Sequence, residues 1–185
     1  MTTLTYWGQQ LEVFRHLYNC TWLNERGAEL AVWQHWRRNV PTLEVGNVLN
    51  HYDPFPHHVV DRYEVADGVE NIDVFDVAGQ WEQIVTISTL EHVRWDEEPR
   101  VDGQSIAAVQ HLSSQVGPAG RMLVTIPTGH NPPLDEWLGA GETGATRACT
   151  LVRDMDTWRQ TDEVEIRPYG LTQPWAEAVW IGEFG

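Results

Sequence analysis

Between Leu43 and His58 the chain reads LEVGNVLNHYDPFPHH, which sets Glu44, Gly46, Asn47, His51, Asp53, His57 and His58 close together behind a short apolar run. A glycine straight after an extended segment lets a ligand approach the backbone with no Cβ in the way. Further on, Asp61, Asp73 and the run Ser88-Thr89-Leu90-Glu91-His92 stand at the ends of successive Val- and Ile-rich segments. A carboxylate in such a place accepts strong hydrogen bonds from hydroxyl or amino groups, and His92 is a side chain able to take up a proton near neutral pH. Tyr52, Glu91 and Asp96 are the neighbours suited to line the same pocket. His51, Asp53, His57 and His58 are metal-ligating types, but their spacing fits neither HExxH nor a zinc pattern. His57 and His58, as adjacent residues at the start of a strand, point to opposite faces, so no metal is expected. Each acid or glycine also has an ordinary role as a turn or cap former. Their recurrence at three successive strand ends is what points to a ligand.

The elements that must hold these residues change in texture near Pro41. Before it, Leu11, Phe14, Leu17 and Tyr18, and then Leu30, Trp33 and Trp36, recur at spacings of three and four and predict two amphipathic helices. They form an N-terminal helical cap segment over 1–40, ahead of an α/β region over 41–185, the whole being one compact unit. From Thr42 the predicted strands are 42–48, 58–64, 71–77, 82–89, 120–129, 146–155 and 176–184, apolar runs suited to a sheet buried on both faces. A helix with Ile106, Val109, Leu112 and Val116 on one face precedes the fifth, and GPAG ends it. The segment GHNPPLDEWLGAG predicts a loop and short helix, and a polar stretch with Pro168, Gly170 and Pro174 separates the last two strands. The pattern is an open, mostly parallel sheet, whose ligands sit outside the carboxyl ends of the strands.

Composition removes several function classes. At 185 residues the chain is one domain. A net charge of -15 repels a phosphate backbone, so nucleic acid is not an expected partner. All 12 basic residues are Arg, which excludes Schiff-base chemistry and a P-loop lysine. Cys20 and Cys149 form no CxxC, no apolar run reaches the roughly 20 residues of a membrane span, and the N-terminus lacks a signal pattern. A soluble, cytoplasmic, acidic protein is expected. Nothing in the sequence sets its oligomeric state.

From Thr42 to Gly129 the chain resembles the class I S-adenosylmethionine-dependent methyltransferases of the small-molecule branch. LEVG resembles the first motif, HVVDRYE the acidic end of the second strand, QIVTISTLEHV the fourth strand and its exit, and VGPAGRMLVTIP the segment leading into the fifth. The resemblance implies a Rossmann-like seven-stranded, mostly parallel sheet with flanking helices and an antiparallel last strand. It also implies S-adenosylmethionine as cofactor and a small-molecule or glycan-type acceptor. Glu44, Gly46 and Asn47 would then carry the cofactor loop. Asp61, with Glu64 as substitute, would take the ribose hydroxyls, and Asp73, with Asp76 behind it, the adenine amino group. Ser88 and Thr89 would face the methionine and sulfonium end, with His92 the base for a hydroxyl acceptor. Two departures stand out. Val48 and Asn50 replace the second and third glycines of the usual loop, and a connection containing Pro54 and Pro56 replaces the usual first helix. A non-catalytic binding or scaffold member of the fold therefore stays open, with Trp7, Trp22, Trp33, Trp36, Trp175 and Trp180 as a conceivable partner surface. A sugar-nucleotide or NAD enzyme fits the glycine pattern less well.

Overall fold

The computed structural model describes residues 2–155, 157–170 and 175–185; Pro174 lies outside them. The strands are β1 (Thr3–Tyr6), β2 (Gln9–Glu12), β3 (Thr42–Val45), β4 (His58–Val60), β5 (Val69–Glu70), β6 (Trp81–Ile87), β7 (Val116–Pro127), β8 (Arg147–Asp154), β9 (Thr157–Thr161) and β10 (Ala178–Phe184). They form one sheet in the order β2-β1-β9-β8-β10-β7-β6-β3-β4-β5. The run β5-β4-β3-β6-β7 is parallel throughout and has the 3-2-1-4-5 order of a doubly wound sheet, so its switch point lies between β3 and β6. β10 lies antiparallel between β7 and β8, as expected for the last strand.

Alternation along the strands divides the core into two layers. Val85 and Ile87 of β6, Leu123 of β7 and Val179 and Ile181 of β10 face helix α1 (Arg26–Trp36) together with Leu4 and Tyr6 of the first hairpin. Ile84, Met122, Val124, Ile126 and Trp180 face the other way, against α2 (Gln104–Ser114) and α3 (Pro132–Ala140). Among the described residues no helix is long and apolar enough to cross a membrane.

Among the described residues ten strands replace the seven expected. The additional ones are β1, β2 and β9, all beyond β8 at one edge of the sheet. The first predicted helix does not form. Trp7 and Gly8 adopt φ of 46° and 77°, a two-residue hairpin loop between the paired Tyr6 and Gln9. The Leu4/Tyr6 alternation therefore outweighs the helical spacing of Leu11, Phe14, Leu17 and Tyr18, and Leu17 is left exposed. Only a 3-10 segment, Tyr18–Leu23, follows before α1, which forms as predicted around Leu30, Trp33 and Trp36. The third expected strand, 71–77, is displaced: β5 ends at Glu70, and Asp73 instead caps a 3-10 turn over Val74–Asp76 by accepting from the Phe75 amide. GPAG belongs to the entrance of β7 rather than to a helix stop, across a register shift opposite Trp81. Trp33, Trp36 and Trp180 are buried in the two cores and offer no partner surface.

Candidate functional site

A cavity of about 290 Å³ opens at the carboxyl ends of β3 to β6, on the switch-point side. This is just below the usual size range of small-molecule sites. Gly46, Asn47, Asp61, Asp73, Ser88, Thr89 and His92 all line it; Glu44 does not. Gly46 has φ of +89°, and a Cβ on it would stand 2.2 Å from Thr89 Oγ1. Glycine is thus required by the meeting of the two strand exits at the switch point.

Glu44 lies fully buried beneath the loop and supports it. Its Oε1 accepts from the Val48 and Leu49 amides at 2.9 and 2.7 Å, and its Oε2 lies 2.7 Å from His57 Nε2. His57 Nδ1 faces the Phe55 carbonyl oxygen at 2.6 Å. Both ring nitrogens therefore meet acceptors, as suits an imidazolium. Burial opposes that charge, but the bond to Glu44, the Phe55 carbonyl and the Glu44 charge outweigh it and raise the His57 pKa. A buried ion pair thus fastens the proline-containing connection expected between the first two strands of the parallel run. Val48 lines the cavity, as its bulk suggested, whereas Asn50 donates to Asn47 Oδ1 and is not among the lining residues.

The acids are engaged unequally. Asp61 Oδ1 accepts from the Tyr63 and Glu64 amides, both at 2.8 Å, and Oδ2 accepts from the Asn47 amide at 3.1 Å. With two lone pairs per oxygen, one acceptor position remains, on Oδ2. Beside it Glu64 Oε1 receives Asn47 Nδ2 at 2.7 Å and contacts His51 Nε2 at 2.9 Å. Asp73 Oδ2 is held by Arg62 and Arg94, which also reach Glu97, and Tyr63 donates to Glu97 at 2.6 Å. Asp76 is exposed in the 3-10 turn and does not reach the cavity.

On the opposite wall Ser88 donates to Glu29 Oε1 at 2.5 Å, and Thr125 donates to the same oxygen at 2.7 Å. Arg26 pairs with Glu29 Oε2 at 3.1 Å and donates to the Ile87 carbonyl. These bonds lock α1 onto the ends of β6 and β7. Glu25 accepts from the Ala176 amide and is pushed up to about 7 by burial and by the Glu29 charge. Burial raises Glu91 well above the carboxylate range, and its Oε2 has no hydrogen-bond partner among the described residues. Tyr52 stands outside the cavity, in an aromatic group with Phe14, His16 and Tyr18.

His92 lies 2.5 Å from Asp96 Oδ2 through Nδ1, and His130 Nε2 lies 3.1 Å from Asp96 Oδ1. The histidines of the opening stretch do not converge: His51 pairs with Glu64, His57 with Glu44 and His58 with Glu70. His130 lies in the 127–131 strand exit that the fold pattern marks as a ligand edge, whereas sequence reasoning missed Glu25, Arg26 and Glu29. The one available signal was a charged pair, Arg26 and Glu29, in the first turn of a helix, ahead of the apolar run Leu30-Ala31-Val32-Trp33.

No protein-family model matches this chain, and no curated protein does. Solved structures do. An S-adenosylmethionine-dependent methyltransferase of Thermotoga maritima superposes with a TM-score of 0.52 at 14% identity, over 89% of each chain. An N-methyltransferase, NodS, of Bradyrhizobium japonicum, solved with S-adenosylhomocysteine, gives 0.46 at 13% identity over 78% of this chain and 77% of that one. Magnesium protoporphyrin IX methyltransferase of Synechocystis, solved with S-adenosylmethionine, gives 0.45 at 12% over 82% and 72%. With its 3-2-1-4-5 parallel order, its antiparallel last strand and the Thermotoga likeness, the chain has the fold of the class I S-adenosylmethionine-dependent methyltransferases.

Proposed function

We propose that the cleft binds S-adenosylmethionine and that the protein is a methyltransferase acting on a small-molecule acceptor, glycan-type acceptors included. The observation that carries this reading is the meeting of residues from four parallel strand exits around one cavity at the switch point: Gly46, Asp61, Asp73 and Ser88 to His92. The cofactor supplies a methyl group on a sulfonium whose departure leaves a neutral thioether, so the protein's task is alignment. Gly46 and Asn47 offer backbone to the methionine end. Asp61 Oδ2, with one position left, and the neighbouring Glu64 share the ribose hydroxyls. Ser88 Oγ is committed to Glu29, so the β6 exit contributes mainly its backbone and Thr89. His92, oriented by Asp96, accepts the proton of a hydroxyl acceptor. The acidic chain argues against a nucleic-acid substrate.

Titration calorimetry with S-adenosylhomocysteine tests this. Saturable binding is expected, and its loss in Asp61→Ala. Absence of heat and of any thermal shift at millimolar ligand sinks the reading. The capture of Asp73 between two arginines favours a second one, in which the sheet is kept as a binding or scaffold module. A cooperatively folded protein indifferent to the cofactor is the result that would support it.

A further inference from the structure

We propose that His92, Asp96 and His130 form a binding site for a divalent transition-metal ion at the acceptor edge of the cleft. Their nitrogen and oxygen ligand atoms lie within 4.8 Å of one another. Two imidazoles and one carboxylate suit zinc, cobalt, manganese or iron(II), whereas calcium and magnesium prefer oxygen-only shells. Donors bound to one ion at about 2.0–2.2 Å sit roughly 2.9–3.4 Å apart. The His130 Nε2–Asp96 Oδ1 pair, at 3.1 Å, already has that separation, and the His92 Nδ1–Asp96 Oδ2 pair, at 2.5 Å, needs to open by about half an ångström, so that Asp96 would present one oxygen to each side of the ion.

The ligands are held by their elements. His92 ends the 3-10 turn Leu90–His92, and Asp96 lies four residues on in the turn that follows, its amide donating to the His92 carbonyl; Leu90 at the start of the 3-10 turn is fully buried. His130 follows β7 at the entrance to α3. Its neighbour Asn131 accepts from the Leu134 amide to cap α3, and donates through Nδ2 to the Glu91 carbonyl at 2.9 Å and to Ser105 Oγ at 3.0 Å. The two ligand-bearing loops are therefore tied by a buried side chain, the kind of support that fixes a metal centre. Tyr169 packs edge-on against His130. Behind the group, Glu91 Oε1 is 3.5 Å from His92 Nε2. Asp96 and His92 are about half exposed, so a bound ion keeps open positions for an exogenous oxygen.

Such an ion would lower the pKa of a coordinated acceptor hydroxyl and make His92 a ligand rather than the proton acceptor. His130 separates the two roles, since it is a ligand in one and no part of the other. The test is titration of chelator-treated full-length protein with Co²⁺. Visible absorption saturating at one ion per chain and displaced by Zn²⁺ is expected. Asp96→Asn and His130→Ala should each weaken binding by more than about 100-fold, while His58→Ala, an exposed histidine paired with Glu70, should leave it unchanged. X-ray absorption on zinc-loaded wild type supplies a readout that does not depend on folding of the variants, with imidazole scattering in the shell expected. Binding that does not saturate, binding retained in both ligand variants, or a shell without imidazole overturns the site. The measurement uses no methyl donor, so its failure and failure of the methyl-transfer reading are separate results.

Discussion

At the residue scale Gly46 is the exacting position of the cleft. Its left-handed backbone costs about 1–2 kcal/mol for any residue with a Cβ, and the added atom would also overlap Thr89 Oγ1, worth about 1–3 kcal/mol of overpacking. Gly46→Ala is expected to lose roughly 2–5 kcal/mol of stability in urea unfolding. Thr89→Ala in the same background should recover the overlap part only. Additive losses in this double-mutant cycle would show that the two exits do not touch. Glu44 makes the complementary case, because a residue chosen for its motif position turns out to hold the loop from beneath. Removing its partner leaves an uncompensated buried carboxylate, so His57→Ala should cost about 3–5 kcal/mol. The sign of its pH dependence follows from the raised His57 pKa. The stabilisation is fully present below the unfolded value of 6.5 and is lost as pH rises through the folded one.

At the element scale the question is what fixes α1 over the sheet. Its buried Glu29 gathers Ser88, Thr125 and Arg26, so the helix is bound to the two strand exits that border the cleft. Glu29→Ala should cost about 3–5 kcal/mol by stranding Arg26. If the cleft takes the cofactor, this change should weaken that binding too, since Ser88 loses its anchor. Glu25 adds a second pH effect of the same sign as His57. Its carboxyl is raised from 4.5 to about 7 in the folded state, so the neutral form is favoured there. Stability then falls as pH rises from about 4.5 through 7, by up to roughly 3 kcal/mol. Denaturant midpoints measured between pH 5 and 8 should decline, and Glu25→Gln should flatten the slope. A midpoint that rises over this range would contradict the assignment.

At the scale of the whole molecule, the first forty residues and the rest share one core. Leu4 and Tyr6 pack with Val85, Leu123 and Val179, and Tyr6 and Trp36 both donate to Glu183 of β10. We propose that the chain unfolds as a single cooperative unit. Leu4→Ala is expected to lower stability by about 2–5 kcal/mol, with coincident transitions by near- and far-ultraviolet circular dichroism. Separate transitions for the N-terminal segment would count against one unit.

Much of this arrangement was legible in the sequence. Strands 42–48, 82–89 and 176–184 were marked by apolar runs that only a sheet buried on both faces tolerates, and α2 by its one apolar face. The gathering of Gly46, Asp61, Asp73, Ser88 and His92 at one edge followed from the rule that parallel strands end together. The N-terminal hairpin was not legible, because two positive-φ residues at Trp7 and Gly8 decide it, and a periodicity of three and four in Leu11 to Tyr18 pointed elsewhere. The third strand was misplaced because Asp73 caps a turn, a role that uses the same residue type as a ligand contact. Sequence alone thus determined the parallel part of the sheet, its switch point and most of the residues that border it. Tertiary structure alone decided how many lone pairs each acid has left, that Glu44 faces His57, and that His130 comes to share Asp96 with His92. Those are matters of distance and direction between residues far apart in the chain, which local pattern does not encode.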